Sequence, residues 1–282
     1  MAKRILACML VVPLCLLTLV CLLAACADQA VSGLVVEVLD VGQSDCILVR
    51  TGDTCMLIDA GTATERETVQ GALRDRGIGR IDYLVLTHPH EDHYGNARML
   101  IEEFDVREVI TSGAAGDELG WRLLSEALAD AGIKHRIPEA GDGFSLGEAQ
   151  CEVIWHVPAE ENVNEAGLVL RLTYGKTAFL LMGDMESKGE AAMLSALPRE
   201  LLRCDVLKVG HHGSRTSTTE AFLAISTPRY AAISCGAGND YGFPHREVLE
   251  RLAAADAVVH RTDKDGTLYY HSDGQHVTYG KD

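Results

Sequence analysis

Residues 88–93 read HPHEDH, which puts three histidines and two acids into six consecutive positions. The pattern H-x-H-x-D-H offers His88, His90, Asp92 and His93. Imidazole nitrogen and carboxylate oxygen are donors suited to divalent zinc or manganese. One tetrahedral ion does not comfortably take four side chains this close in sequence, so the spacing favours two ions. His88 and His90 then face one ion, and Asp92 and His93 the other. Pro89 stiffens the turn between the first two ligands.

Two ions need further ligands. LLMGD, residues 180–184, is an apolar run ending in Asp184, whose two oxygens can each take one cation. DVLKVGHHGS, residues 205–214, is a second apolar run that ends in His211 and His212. Asp59 closes LIDAG, residues 57–61, and is expected to hold a ligand histidine from behind. Strand alternation predicts that Lys208 faces away, with no role.

The elements around these residues follow from periodicity. IDYLVL, residues 81–86, reads as a buried strand, and residues 96–104 have a helical period. The HPHEDH cluster therefore lies on a strand-to-helix turn, where α/β proteins place their chemistry. Strands are also predicted at 34–40, 46–49, 55–58, 106–111, 134–137, 144–146 and 151–155, and then at 168–174, 178–182, 206–209, 230–234, 258–261 and 267–271. Helices are predicted at 68–76, 121–131, 186–196, 219–225 and 246–255. Two β-rich blocks alternate with helices, and no Pro/Gly/Ser-rich linker divides them. The reading is one domain over residues 34–282, with paired sheets covered by helices.

Residues 1–25 stand apart. Lys3 and Arg4 precede an apolar run that ends in LAAC, residues 23–26. This is the pattern of an export signal. The LAAC ending resembles the bacterial lipobox, in which the cysteine, here Cys26, receives the lipid and starts the mature chain. An uncleaved membrane anchor is the alternative. Either places the domain outside the membrane, behind a short tether at 26–33. Loss of residues 1–25 removes two basic residues and takes the net charge from −16 to −18. Such a surface argues against a duplex-DNA scaffold. Past Cys26, the cysteines at 46, 55, 151, 204 and 235 form no CxxC pair, which excludes a zinc-ribbon or thioredoxin reading. They are expected to be small buried hydrophobes, although Cys46 and Cys55 flank a turn and have the option of meeting across a hairpin.

HxHxDH, then GD, then a late histidine, resembles the metallo-β-lactamase fold superfamily. More narrowly, the chain resembles the soluble hydrolase domain of ComEC/Rec2-type DNA-uptake proteins. The residues that carry this likeness are VLDVGQSDC (38–46), LIDAG, LTHPHEDHYGN (86–96), LMGDME (181–186), LKVGHHGSRTS (207–217) and YGFPHREVLERL (241–252). The resemblance covers most of residues 34–270 and implies a four-layer αββα sandwich with metals at one edge. It implies that His88 and His90 bind the first ion, that Asp92 and His93 bind the second, and that Asp184 bridges them. His211 is chosen as the last ligand, with His212 as the alternative.

The chain also departs from that pattern. Many members of the superfamily carry another histidine just before the strand that here reads LVLRL. This segment is NVNEAGLVLRL, and Asn164 is the nearest substitute, with His156 further upstream. Gly167 stands where a serine is usual, Phe243 replaces a histidine, and Ser44 and Cys46 replace glycine and serine.

The expected activity is that of a metal-dependent phosphodiesterase or nuclease-like hydrolase with two divalent ions, zinc or manganese. Asp92 or Asp184 would orient the attacking water. His245, Ser214 and the amides after His212 would bind a phosphoryl oxygen. Expected substrates are phosphodiesters or other small esters, including single-stranded DNA or oligonucleotides. The alternatives are hydrolysis of another ester or thioester, or a non-catalytic metal-binding lipoprotein that assists DNA uptake. The expected location is the outer face of the cell membrane.

Overall fold

Alternation along the strands sends apolar residues to both faces of each sheet, so each sheet is buried on both faces and three core layers result. The computed structural model describes residues 31–280, apart from 115, 117–118 and 158–160. The expected signal, Cys26 and most of the tether lie outside the described residues.

The first sheet is built from β1 (Val31–Val38), β2 (Ile47–Gly52), β3 (Thr54–Ile58), β4 (Arg80–Leu86), β5 (Asp105–Thr111) and β6 (Lys134–Arg136). The second comprises β7 (Gly143–Leu146), β8 (Ala149–Trp155), β9 (Val169–Tyr174), β10 (Thr177–Leu181), β11 (Val206–Lys208), β12 (Tyr230–Ile233) and β13 (Val258–Arg261). The chain then returns through β14 (Leu268–Ser272) and β15 (Val277–Tyr279) to the first sheet, beside β1. The sheet orders are β15-β14-β1-β2-β3-β4-β5-β6 and β13-β12-β11-β10-β9-β8-β7. Each sheet is an antiparallel meander that turns parallel partway: at β3–β4 in the first and at β10–β11 in the second. Parallel strands gather ligands at their carboxyl ends, and β3, β4, β10 and β11 end beside the candidate site.

Helices α1 (Arg66–Asp75), α2 (Glu91–Tyr94), α3 (Ala97–Glu103) and α4 (Leu119–Ala131) follow strands of the first sheet. Val69, Leu73, Leu100, Trp121 and Leu124 pack on its outer face against Leu48, Leu57, Leu84 and Val109. Helices α5 (Ser187–Ala196), α6 (Arg199–Leu202), α7 (Glu220–Ser226) and α8 (Arg246–Ala254) cover the second sheet, where Met193, Leu202, Phe222 and Val248 meet Leu180, Leu207 and Ala231. Between the sheets, Val36, Val49, Met56 and Val85 face Val153, Leu170, Phe179 and Leu181. The result is the expected αββα sandwich.

The differences from expectation are local. The HPHEDH turn contains a helical turn of its own, α2, that the histidine-rich sequence does not signal. The short α6 and β15 lack a full period and were not predicted. None of the five cysteines forms a disulfide, and all are buried. Register places Cys55 opposite Arg50, so Cys46 and Cys55 are not cross-strand partners. Burial pushes the Cys151 thiol up to about 12, which keeps it neutral. Among the described residues no helix is long and apolar enough to cross a membrane.

Candidate metal centre

β4 ends at Leu86, and Thr87 begins the turn that carries the cluster. The Thr87 amide donates to Asp59 Oδ1 at 2.8 Å, and its hydroxyl donates to Asp59 Oδ2 at 2.8 Å. The same hydroxyl oxygen lies 3.1 Å from His88 Nδ1, which leaves His88 Nε2 to face the site. Gly95 closes α2. A Cβ there would lie 2.7 Å from the Gly61 carbonyl, so only glycine lets the ligand turn sit this close to the loop after β3.

Two groups of donors result. His88, His90 and Asp184 each offer one atom, and these atoms lie within 4.8 Å of one another; Asp92, His93, Asp184 and His212 form a second such group. His88 Nε2 and His90 Nδ1 are 3.0 Å apart. Asp184 belongs to both groups. Its Oδ2 lies 3.8 Å from His88 Nε2, while its Oδ1 lies 3.4 Å from His93 Nε2 and 3.6 Å from His212 Nε2. Asp92 Oδ2 is 3.2 Å from His212 Nε2. Behind His93, Asp59 Oδ2 sits 2.8 Å from Nδ1, as expected for a carboxylate that orients a ligand ring.

Charge fits the same picture. Burial opposes an imidazolium at His93, yet Asp184, Asp59 and Asp92 hold its pKa well above the usual histidine value. His212 is raised in the same way, against burial, chiefly by Asp184 and Asp45. Burial disfavours the Asp184 carboxylate, but His212 and His93 hold its pKa well below the ordinary range. His88 is pushed well below the histidine value by burial and by its neighbour His93. His93 Nε2 and Asp184 Oδ1 are buried without a hydrogen-bond partner. Unpaired buried polar atoms are costly, and converging nitrogen and carboxylate donors are what a divalent ion requires. These residues fit such ions.

His211 and His212 occupy different positions. Both have left-handed backbones, with φ of 48° and 51°, and Gly213 follows at 81°. Such strain in two successive non-glycine residues persists only where the surroundings impose it. The His211 amide donates to the Gly183 carbonyl at 3.1 Å, and the His245 amide donates to the Gly213 carbonyl at 2.9 Å. The turn sends the His212 ring inward, 2 % exposed, and leaves His211 in the cleft wall, with Nδ1 3.0 Å from Glu186 Oε1. The structure therefore gathers His212 into the donor group with Asp92 and His93, while the preferred His211 keeps Nε2 3.7 Å from Asp184 Oδ2.

Other expected residues are dispersed. His245 Nδ1 accepts from the Arg215 amide at 3.0 Å, and Ser214 Oγ lies 3.0 Å from Thr216 Oγ1; neither side chain lines the cleft. His156 is 2.8 Å from the Pro138 carbonyl and 2.6 Å from the Ser112 carbonyl, so both ring nitrogens are engaged elsewhere. Asn164 is buried beside Gly167, and its Oδ1 has no hydrogen-bond partner. A Cβ on Gly167 would lie 3.0 Å from the Asn164 carbonyl and 3.7 Å from His88 Cβ, which leaves little room for a serine.

The cleft holds about 570 Å³ and is lined by Gln43, His90, Asp92, His211, Tyr241 and Phe243, among others. Tyr241, 67 % exposed, stacks on Phe243 with ring centroids 5.3 Å apart and planes at 16°. Sequence reasoning gave Tyr241 no role, although the quoted motif contains it. It also misplaced Lys208. That side chain is 1 % exposed and its Nζ donates to Asp45 Oδ2 at 2.7 Å. β11 pairs Lys208 with Leu181 on one side and Ala232 on the other, both in the layer between the sheets. Alternation thus points Lys208 inward, beneath the site.

A mixed αββα sandwich with histidines and aspartates at its parallel strand ends defines the metallo-β-lactamase fold class. The chain belongs to the Metallo-beta-lactamase superfamily, whose profile matches residues 39–237; its members are chiefly metal-dependent hydrolases. It is 31% identical to ComE operon protein 3 of Bacillus subtilis over 83% of this chain and 32% of that protein. It is 31% identical to Competence protein ComA of Neisseria gonorrhoeae, again over 83% of this chain and 32% of that protein. Recombination protein 2 of Haemophilus influenzae is 30% identical over 83% of this chain and 28% of that protein. The chain thus spans about a third of the length of these relatives. Among solved structures, the metallo-beta-lactamase fold protein YhfI from Bacillus subtilis superimposes with a TM-score of 0.57 at 11% identity, over 88% of this chain and 100% of that one. CmlA, a diiron beta-hydroxylase from Streptomyces venezuelae, gives 0.53 at 12% identity, over 86% and 55%. These two likenesses show the fold alone.

Proposed function

We propose that the chain is a two-metal hydrolase of phosphodiester bonds in nucleotides or short single-stranded nucleic acid. The observation that carries this reading is Asp184, whose two oxygens face two separate donor groups. His88, His90 and Asp184 would hold the first ion. Asp92, His93, Asp184 and His212 would hold the second. Zinc and manganese both suit these donors. Two such ions supply Lewis acidity and lower the pKa of water near neutral pH.

The chain's own residues do the rest. Asp59 keeps His93 oriented. Asp92, a partly exposed cleft carboxylate, is placed to orient the attacking water. Asn164 Oδ1, buried and unpaired, supports a role in completing the first ion's shell where many superfamily members use histidine. The names of the competence relatives support nucleic acid as the substrate class. The net charge of −16 favours short or single-stranded forms over duplex. The proposed location is outside the membrane, held by a lipid on Cys26.

The test is turnover of bis-p-nitrophenyl phosphate, single-stranded DNA and a thioester panel by residues 27–282 with zinc or manganese. Phosphodiester hydrolysis that is lost in Asp184→Ala supports the proposal. Thioester or carboxylic ester turnover alone, or bound metal with no turnover, refutes it.

A further inference from the structure

Asp45 lies at the base of the centre, 1 % exposed, and its charge is paired with the equally buried Lys208 at 2.7 Å. A buried ion pair is a poor way to fill a core, because both charges leave water; apolar residues of the same volume often serve as well or better. The pair is explained by what else it touches. Asp45 Oδ1 has no hydrogen-bond partner and lies 3.5 Å from His212 Nδ1. His212 Nδ1 donates to the Ser234 carbonyl at 3.1 Å, so Nε2 faces Asp92 and Asp184. The Asp45 amide donates to the Asp92 carbonyl at 3.2 Å, and the Asp45 carbonyl accepts from the Gly61 amide at 2.8 Å. One residue thus meets a ligand ring through its side chain and the ligand turn through its backbone. Asp45, Asp59 and His93 also offer atoms within 4.8 Å of one another. Two carboxylates this close need a cation, and Lys208 is the cation buried against Asp45.

We infer that Asp45, held by Lys208, is a positioning residue for the second ion: its carboxylate lies 3.5 Å from His212 Nδ1, and its backbone holds the ligand turn through Asp92 and Gly61. The inference rests on the two-ion reading above. The Ser234 carbonyl orients the imidazole through Nδ1, and the Asp45 charge beside it strengthens Nε2 as a donor. Lys208 lets that carboxylate stay charged in the interior, and it ties β11 to the loop after β1. Neither residue touches substrate.

The experiment compares wild-type protein with the double variant Asp45→Asn/Lys208→Met. Either single variant leaves one buried charge unpaired and risks misfolding, whereas the double removes both together. Cobalt(II) titration followed by visible absorption, zinc competition with a chelator, and thermal unfolding of metal-stripped protein are measured on both. The expected result is an unfolding midpoint at or above wild type, with the second ion held at least about tenfold more weakly and its cobalt bands shifted. A folded double variant that keeps wild-type affinity and spectrum would overturn the inference, as would equal weakening of both ions. A wild-type chain that takes up no cobalt would overturn the two-ion reading and this inference with it, and the wild-type titration identifies that failure.

Discussion

Asp184 Oδ1 and His93 Nε2 lie 3.4 Å apart, both buried and both without a hydrogen-bond partner. A folded chain tolerates such atoms when a ligand completes them. Adding zinc or manganese to metal-stripped protein is therefore expected to raise the thermal unfolding midpoint. At a hundredfold excess over Kd the gain is about 2.7 kcal/mol. A midpoint that ignores both metals would contradict the assignment.

Proton competition gives a second expectation. The carboxylates raise His93 and His212, so these rings keep their protons to higher pH than an ordinary histidine, and an ion must displace them. Raised pKa values mean that the competing protonated form gains population as pH falls. Metal affinity should therefore drop with decreasing pH, about tenfold per unit for each proton released. Calorimetry in buffers of different ionisation heat counts the protons. Release of none would be inconsistent with these environments.

The two adjacent histidines should behave unequally. His212→Ala is expected to weaken the second ion by more than the roughly 10- to 100-fold that loss of an outer partner costs. His211→Ala, at a cleft wall and bonded to Glu186, should change metal affinity by less than about tenfold. Chelator competition on both variants decides this, and the reverse order would restore His211 as the ligand.

Tyr241 presents an exposed ring beside the donors, backed by Phe243. Stacking of one base on an aromatic side chain is worth about 1–3 kcal/mol. Tyr241→Ala should raise KM for a short oligonucleotide by about tenfold and leave an abasic analogue unaffected. Equal loss on both would assign Tyr241 to structure.

These contrasts show which parts of the site were legible in the sequence. His88, His90, Asp92, His93 and Asp184 lie at the ends of strands with clear periodicity, so their proximity follows from the fold. Asp59 was readable for the same reason. The choice between His211 and His212 was not, because two left-handed residues in succession break the alternation that strand reasoning uses. Lys208 was misplaced because a strand of three residues is too short for alternation to fix its face from sequence, and its partner Asp45 is remote in the chain. The unpaired state of Asn164 Oδ1 depends on the packing of residues 164–168 against the ligand turn, which no local pattern encodes.

Metal stoichiometry tests the central claim most directly. Protein saturated with zinc or manganese and then freed of excess is measured by plasma mass spectrometry, beside Asp184→Ala. Two ions per wild-type chain are predicted, with at most one retained in the variant. Wild-type protein that holds none, or a variant that keeps the wild-type count, would contradict a centre bridged by Asp184.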